Sequence, residues 1–224
     1  MAKIHGIPGE WARVKGAVIG LWPLFLGVFA SGASLALFAF SVPLGALALV
    51  ASLVSVIVSF MRGLRRVESF YKGARGEEKV AGILATLPDA YHVFNDFTAG
   101  RNHVDHVVVG PAGVFSVETK FWRGRVTIED GHVLLDGQLP DRSPVAQAVR
   151  EATVVRNALV SLGWNGLVTP VLTFASDSFE AHRANVNGTV VINSNELRSS
   201  FDTDRVILEP AELERLVSLM EGMG

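Results

Sequence analysis

HVDHVVVGPAGVFSVETK, residues 103–120, is the stretch whose reading decides the fold. An Asp stands near its start and, thirteen residues on, a Glu-X-Lys stands at its end. Each lies at the edge of an apolar run with the composition of a β-strand, and Pro111-Ala112-Gly113 between them reads as a turn. A hairpin of this kind brings Asp105 and Glu118 side by side as oxygen ligands for a hard divalent cation. Glu118 and Lys120 share strand parity, so both point into one site. An ionised carboxylate inside HVDHVVV is costly unless it is paired or bound to a metal.

Working outward, residues 75–87 carry Val80, Ile83, Leu84 and Leu87 at helical spacing and stop before Pro88. Residues 91–97 alternate as a strand. After Lys120, residues 125–128 and 132–135 form a hairpin around Asp130-Gly131. Ser143 caps and Pro144 opens a long helix reaching about residue 162, and Gly163 stops it. Residues 167–174 are almost continuously apolar, as expected of a strand buried on both faces. A short strand at 190–192 and a helix over 209–220 complete the chain. The order is helix, three strands, hairpin, helix, strand, which predicts a mixed α/β sandwich rather than a doubly wound fold.

The N-terminal part is different. Mean hydropathy is +0.35, and the apolar excess is local. Ahead of residue 61 the only charged side chains are Lys3, Glu10, Arg13 and Lys15, and residues 16–60 hold none. Forty-five helical residues would extend roughly 67 Å against a hydrocarbon core of about 30 Å. Two spans fit, near 17–39 and 43–60, with the turn at Ser41-Val42-Pro43. Arg13 and Lys15 flank one end and Arg62, Arg65 and Arg66 the other. The charge bias therefore places both termini in the cytoplasm of a cell-membrane protein that crosses twice. With no ionisable residue inside it, the hairpin reads as an anchor rather than a conduit. The predicted organisation is an N-terminal segment (1–15), a transmembrane hairpin (16–60), a basic juxtamembrane connector (61–74) and a soluble domain (75–224) whose core motif occupies 75–175.

Residues 61–224 hold 17 Lys and Arg against 21 Asp and Glu, which argues against a strongly basic nucleic-acid binder. A divalent cation at the site would itself offset two charges. The absence of Cys excludes disulfides, thiolate metal sites and Cys nucleophiles. No phosphate loop, dinucleotide fingerprint or nucleophile elbow is present.

Five motif pieces stand in order: Gly76-Glu77 opening the first helix, Val104-Asp105-His106, Gly113, Glu118-Thr119-Lys120, and Gln147 in the long helix. Over roughly residues 73–175 the chain resembles the nuclease-related domain (NERD), a branch of the PD-(D/E)XK restriction-endonuclease-like superfamily. The resemblance implies a restriction-endonuclease-like mixed sheet flanked by helices. It also implies a Mg2+- or Mn2+-dependent nuclease that hydrolyses phosphodiester bonds, of DNA in preference to RNA. Asp105, Glu118, the Thr119 carbonyl and Glu77 would then hold the metal, with Lys120 and Gln147 assisting catalysis. Partners would be nucleic acid and, through residues 16–60, a lipid bilayer.

Other readings of these residues stand beside that one. Glu118 and Lys120 also make sense as a same-face ion pair, and Glu77 as a carboxylate stabilised at a helix start. Gln147 also reads as an exposed polar residue, and Glu78 as solvated. His103 and His106 are placed on positions opposite and neighbouring Asp105, as structural or substrate-facing groups rather than zinc ligands. Arg101, Arg123, Arg125 and Arg150 are candidate phosphate contacts. A membrane-anchored nucleic-acid-binding or scaffold module without catalysis is the rival function.

Overall fold

The computed structural model describes residues 1–100, 102–176, 179, 183–201 and 206–223, without the side chains of residues 64–66 and 69. Along the chain lie β1 (Lys3–His5), α1 (Glu10–Leu37), α2 (Val42–Leu84), β2 (His92–Ala99), β3 (Asn102–Gly110) and β4 (Gly113–Lys120). Then follow β5 (Val126–Glu129), β6 (His132–Leu135), α3 (Pro144–Ser161), β7 (Val168–Phe174), β8 (Arg183–Val186), β9 (Thr189–Asn193), a 3-10 helix (Ser194–Ser200) and α4 (Pro210–Glu221). Two compact units result: Glu10–Ala74, and Met1–Gly9 together with Arg75–Gly224.

In the larger unit the expected mixed sheet has the order β1-β2-β3-β4-β7-β9-β8. β2, β3 and β4 form an antiparallel meander, β4, β7 and β9 run parallel, and β1 adds to β2 in parallel. All of β4 but Lys120 is buried, because helices cover both faces. On one face Ala152, Val155 and Leu159 of α3 and Leu213, Leu216 and Met220 of α4 pack on Val107, Val109 and Val114. On the other, Val80 and Leu84 of α2 and Leu197 and Phe201 meet Val93, Val108, Phe115, Val117 and Val171. Val107 and Val109 of β3 and even residues of β4 therefore face α3, and Val104 packs on the same side, so the alternation of β3 shifts at Asp105. Ser143 accepts a hydrogen bond from the Ala146 amide and starts α3 where its sequence predicts. Asp130 and Gly131, both at positive φ, turn β5 into β6.

In the smaller unit α1 presents Gly16, Gly20, Gly27 and Ser34 to its partner helix and buries them. A Cβ on Gly16 would lie 2.7 Å from that of Phe70, so the backbones approach through the missing side chains. Ser31 Oγ donates to Ser52 Oγ across the pair at 3.1 Å. Leu21, Trp22, Phe25, Phe29, Leu47, Val50, Leu53 and Ile57 point outward and are exposed. Small and polar inside, apolar outside, is the reverse of a water-soluble helix pair and suits lipid. Both helices are long and apolar enough to cross a membrane.

Three sequence expectations change. Residues 61–84 do not break into a linker and a new helix: α2 runs unbroken from Val42 to Leu84, with no Pro after Pro43 to stop it and a Glu68–Lys72 ion pair at i,i+4. Glu77 therefore does not open a helix and gains nothing from an N-terminal dipole. The strands β1 and β8 were not anticipated, since segments of three and four residues carry too little pattern to read.

Candidate metal centre

Both ladders of β3 are interrupted at Asp105. The β3–β4 pairing reaches only His106↔Val117, and the β2–β3 pairing skips from Asn95↔His106 to Phe97↔Val104. Opposite the gap Asp96 sits in the left-handed region, φ 51°, a conformation that short polar side chains tolerate. Asp105 fills the opening with its side chain, and Oδ2 accepts the Thr119 amide at 2.8 Å. A carboxylate has thus replaced a strand's carbonyl in the sheet.

Two groups of side chains meet there. Lys120 Nζ donates to Glu118 Oε1 and to Gln147 Oε1, the latter at 2.9 Å. Gln147 Nε2 donates to Glu151 Oε1 at 2.9 Å, and Glu151 and Glu118 are close enough to perturb each other's ionisation. These four residues form a chain of polar contacts between β4 and α3. Gln147 and Glu151 reach it together because i and i+4 share a helix face. In the second group His103 Nε2 lies 3.3 Å from Asp96 Oδ1 and 3.5 Å from Asp105 Oδ1. Glu77 comes from the opposite layer, and one ligand atom each of Glu77, His103 and Asp105 lie within 4.8 Å of one another. Gly76 lets α2 come this close, since a Cβ there would lie 3.1 Å from that of Phe121.

The electrostatics follow from packing five carboxyls into little water. Burial, then the charges of Asp105 and Asp96, push the Glu77 carboxyl up to about 8. Burial and the Asp105 charge hold Glu118 well above the carboxylate range, and burial raises Glu151. Burial opposes ionisation of Asp105 too, but hydrogen bonds from His103 and Thr119 and the nearby histidines outweigh it and bring it down. Burial would lower Lys120, yet Glu118's charge and hydrogen bond raise it, so the ammonium stays charged. Burial likewise works against His103, and its contacts with Asp105, Asp96 and Glu77 reverse the sign. The site is short of positive charge, and protons retained on acids make up the deficit.

A divalent cation fits these residues. Glu77 Oε2 is buried without a hydrogen-bond donor, and the donors are mostly carboxylate oxygens, the ligands of a hard ion. Five of the expected site residues, Asp105, Glu118, Lys120, Gln147 and Glu77, come together. The sixth, Thr119, joins through its amide. Glu118 and Lys120 are an ion pair, and they are also part of the site. Asp96, His103 and Glu151 were not anticipated. The placement of His103 away from Asp105 is corrected: its Nε2 lies 3.5 Å from Asp105 Oδ1, so the two meet in one opening. His106 is fully buried, with Nδ1 2.8 Å from Asn95 Oδ1. Arg123, Arg125 and Arg150 are exposed; Arg101 lies outside the described residues.

A mixed sheet that sets an Asp beside a Glu-X-Lys, with a Gln from the flanking helix, has the layout of a nuclease-type fold. Residues 72–175 match the family described as nuclease-related domain, NERD. Over 78 residues the chain is 31% identical to an uncharacterized protein of Bacillus anthracis, covering 32% of this chain and 37% of that protein. The chain thus spans little more than a third of that relative's length. No solved structure matches.

Burial pushes His106 down to about 4. Its folded pKa lies below the ordinary 6.5, so the unfolded chain binds the extra proton first. Stability complete above pH 6.5 is therefore lost as pH falls toward 4, by on the order of 3 kcal/mol. Thermal melts of the full chain in detergent and EDTA across this range should show that slope, and His106→Gln should flatten it. Equal slopes in the two proteins would contradict the assignment.

Proposed function

We propose that the chain is a membrane-anchored, metal-dependent nuclease that hydrolyses phosphodiester bonds, of DNA before RNA, on the cytoplasmic side. The observation that carries this is the hydrogen-bonded chain Glu118–Lys120–Gln147–Glu151 beside Asp105, within the residues that match the nuclease-related domain. Asp105, Glu118, the Thr119 carbonyl and Glu77 would hold Mg2+ or Mn2+. When bound, the cation polarises the scissile phosphate and offsets charge developing on it. Lys120 is the residue placed to orient the attacking water and to stabilise the anionic transition state with a fixed ammonium. Gln147 and Glu118 hold that ammonium in place, which spares reorganisation during the reaction. Asp105, anchored on the Thr119 amide, keeps its carboxylate ionised for the cation.

The anchoring has independent support. β1 precedes the apolar helix pair in sequence, and β2, with which it pairs, follows it. Chain entering and leaving the pair thus belongs to one folded unit, an arrangement that supports two crossings over one. Together with the flanking positive charges, this favours two spans with both ends in the cytoplasm.

Full-length protein in detergent should cleave labelled DNA in Mg2+ or Mn2+ and not in EDTA. Asp105→Ala should abolish this, and Lys120→Ala should lower the rate by at least about a hundredfold while metal binding persists. Full cleavage by either variant would defeat the catalytic assignment. Binding without cleavage under any metal would favour the non-catalytic anchored module. For topology, the Cys-free chain accepts single reporters. In sealed, right-side-out vesicles, an impermeant maleimide should label Phe40→Cys, in the turn between α1 and α2, but should reach Glu129→Cys only after lysis. The reverse pattern would invert the orientation.

A further inference from the structure

We propose that His103 is a nitrogen ligand of the bound cation, forming with Glu77 and Asp105 a one-imidazole, two-carboxylate set that prefers first-row transition ions over Mg2+ and Ca2+. This rests on the divalent-metal reading above and goes beyond it by assigning a residue and a metal class.

Three observations lead there. His103 and Asp105 stand two residues apart on β3 and their side chains meet in the same opening. His103 Nε2 is the ring nitrogen turned into the site, 3.5 Å from Asp105 Oδ1 and 3.3 Å from Asp96 Oδ1. Donor atoms about 2.1 Å from one ion, at angles between octahedral and tetrahedral, stand roughly 3.0–3.4 Å apart. The spacing of these atoms is close to that of neighbours in a coordination sphere. Finally, Glu77 Oε2 is buried, has no hydrogen-bond donor and belongs to the same close group.

The donor set fixes the preference. Mg2+ and Ca2+ are hard ions that take oxygen ligands, and Mg2+ gives up its waters reluctantly. An imidazole nitrogen favours first-row transition ions over both.

Mn2+ is the probe, because its electron spin reports a nitrogen in the first coordination sphere. Pulsed electron paramagnetic resonance would be recorded on the full-length chain in detergent, at natural abundance and with 15N-labelled histidine. Directly bound nitrogen should appear as a modulation that changes with the isotope and disappears in His103→Gln, with His103→Asn in reserve should that variant not fold. In competition titrations Mn2+ should bind at least about tenfold more tightly than Mg2+, and the gap should narrow in the variant. Bound Mn2+ without nitrogen modulation in the wild type would overturn the role of His103 and leave the metal site standing. Modulation that survives His103→Gln would overturn it in favour of another histidine. Failure of the wild type to bind Mn2+ at all would overturn both this proposal and the metal reading beneath it.

Discussion

The structure turns on the Asp105 carboxylate placed inside the sheet. A strand that ran through residue 105 with its ladders intact would pair its backbone and leave no space for a buried cluster of acids. Interruption of both ladders there, with Asp96 in a left-handed conformation on one side and the Thr119 amide donating on the other, makes an opening lined by charge. The rest of the domain holds that opening in shape. The Val-rich runs on either side of it bury β3 and β4 against helices on both faces. Lys79 Nζ donates to the Ala175 carbonyl at 2.8 Å, tying α2 to the end of β7. Gly76 permits the approach that brings Glu77 in from the opposite layer.

This arrangement is costly for the fold taken alone. Buried carboxyls with raised pKa values retain protons because ionisation would leave charge without solvent or partner. A scaffold selected for stability would replace them with apolar residues at little loss or a gain. The cluster is better explained by a function that needs negative charge and a fixed ammonium in one small space. Lys120 is held from two sides, by Glu118 and by Gln147, and its side chain remains 20% exposed while that of Glu118 is 3% exposed. The ammonium is therefore more open to the outside than the carboxyl it pairs with.

Much of this was legible in the sequence, where local patterning decides the outcome. Strand alternation around Asp105 and Glu118, the Ser143 cap, the Asp130-Gly131 turn and the continuous apolar run of β7 each specify their own element. What escaped was set by contacts distant in sequence. β1 is three residues long and gains meaning only by pairing with β2, across two long helices. Glu77 stands near Pro88 and Gly76 in a segment resembling a helix start, but the preceding residues already continue α2. Asp96 gives no sign of its φ, which is imposed by the interrupted ladder. Two omissions were avoidable: His103 shares strand parity with Asp105, and Glu151 follows Gln147 by one helical turn.

The central claim, that the buried acids are kept for a divalent cation, is tested most directly by the melting temperature of the full-length chain in detergent, in EDTA and in saturating Mn2+. The same measurement on Asp105→Ala serves as the comparison. At a hundred times the dissociation constant, a site present only in the folded chain adds about 2.7 kcal/mol, several degrees for a domain of this size. A rise in the wild type that is absent from Asp105→Ala is the predicted result. An unchanged wild type, or equal rises in both proteins, would contradict a cation site built around Asp105.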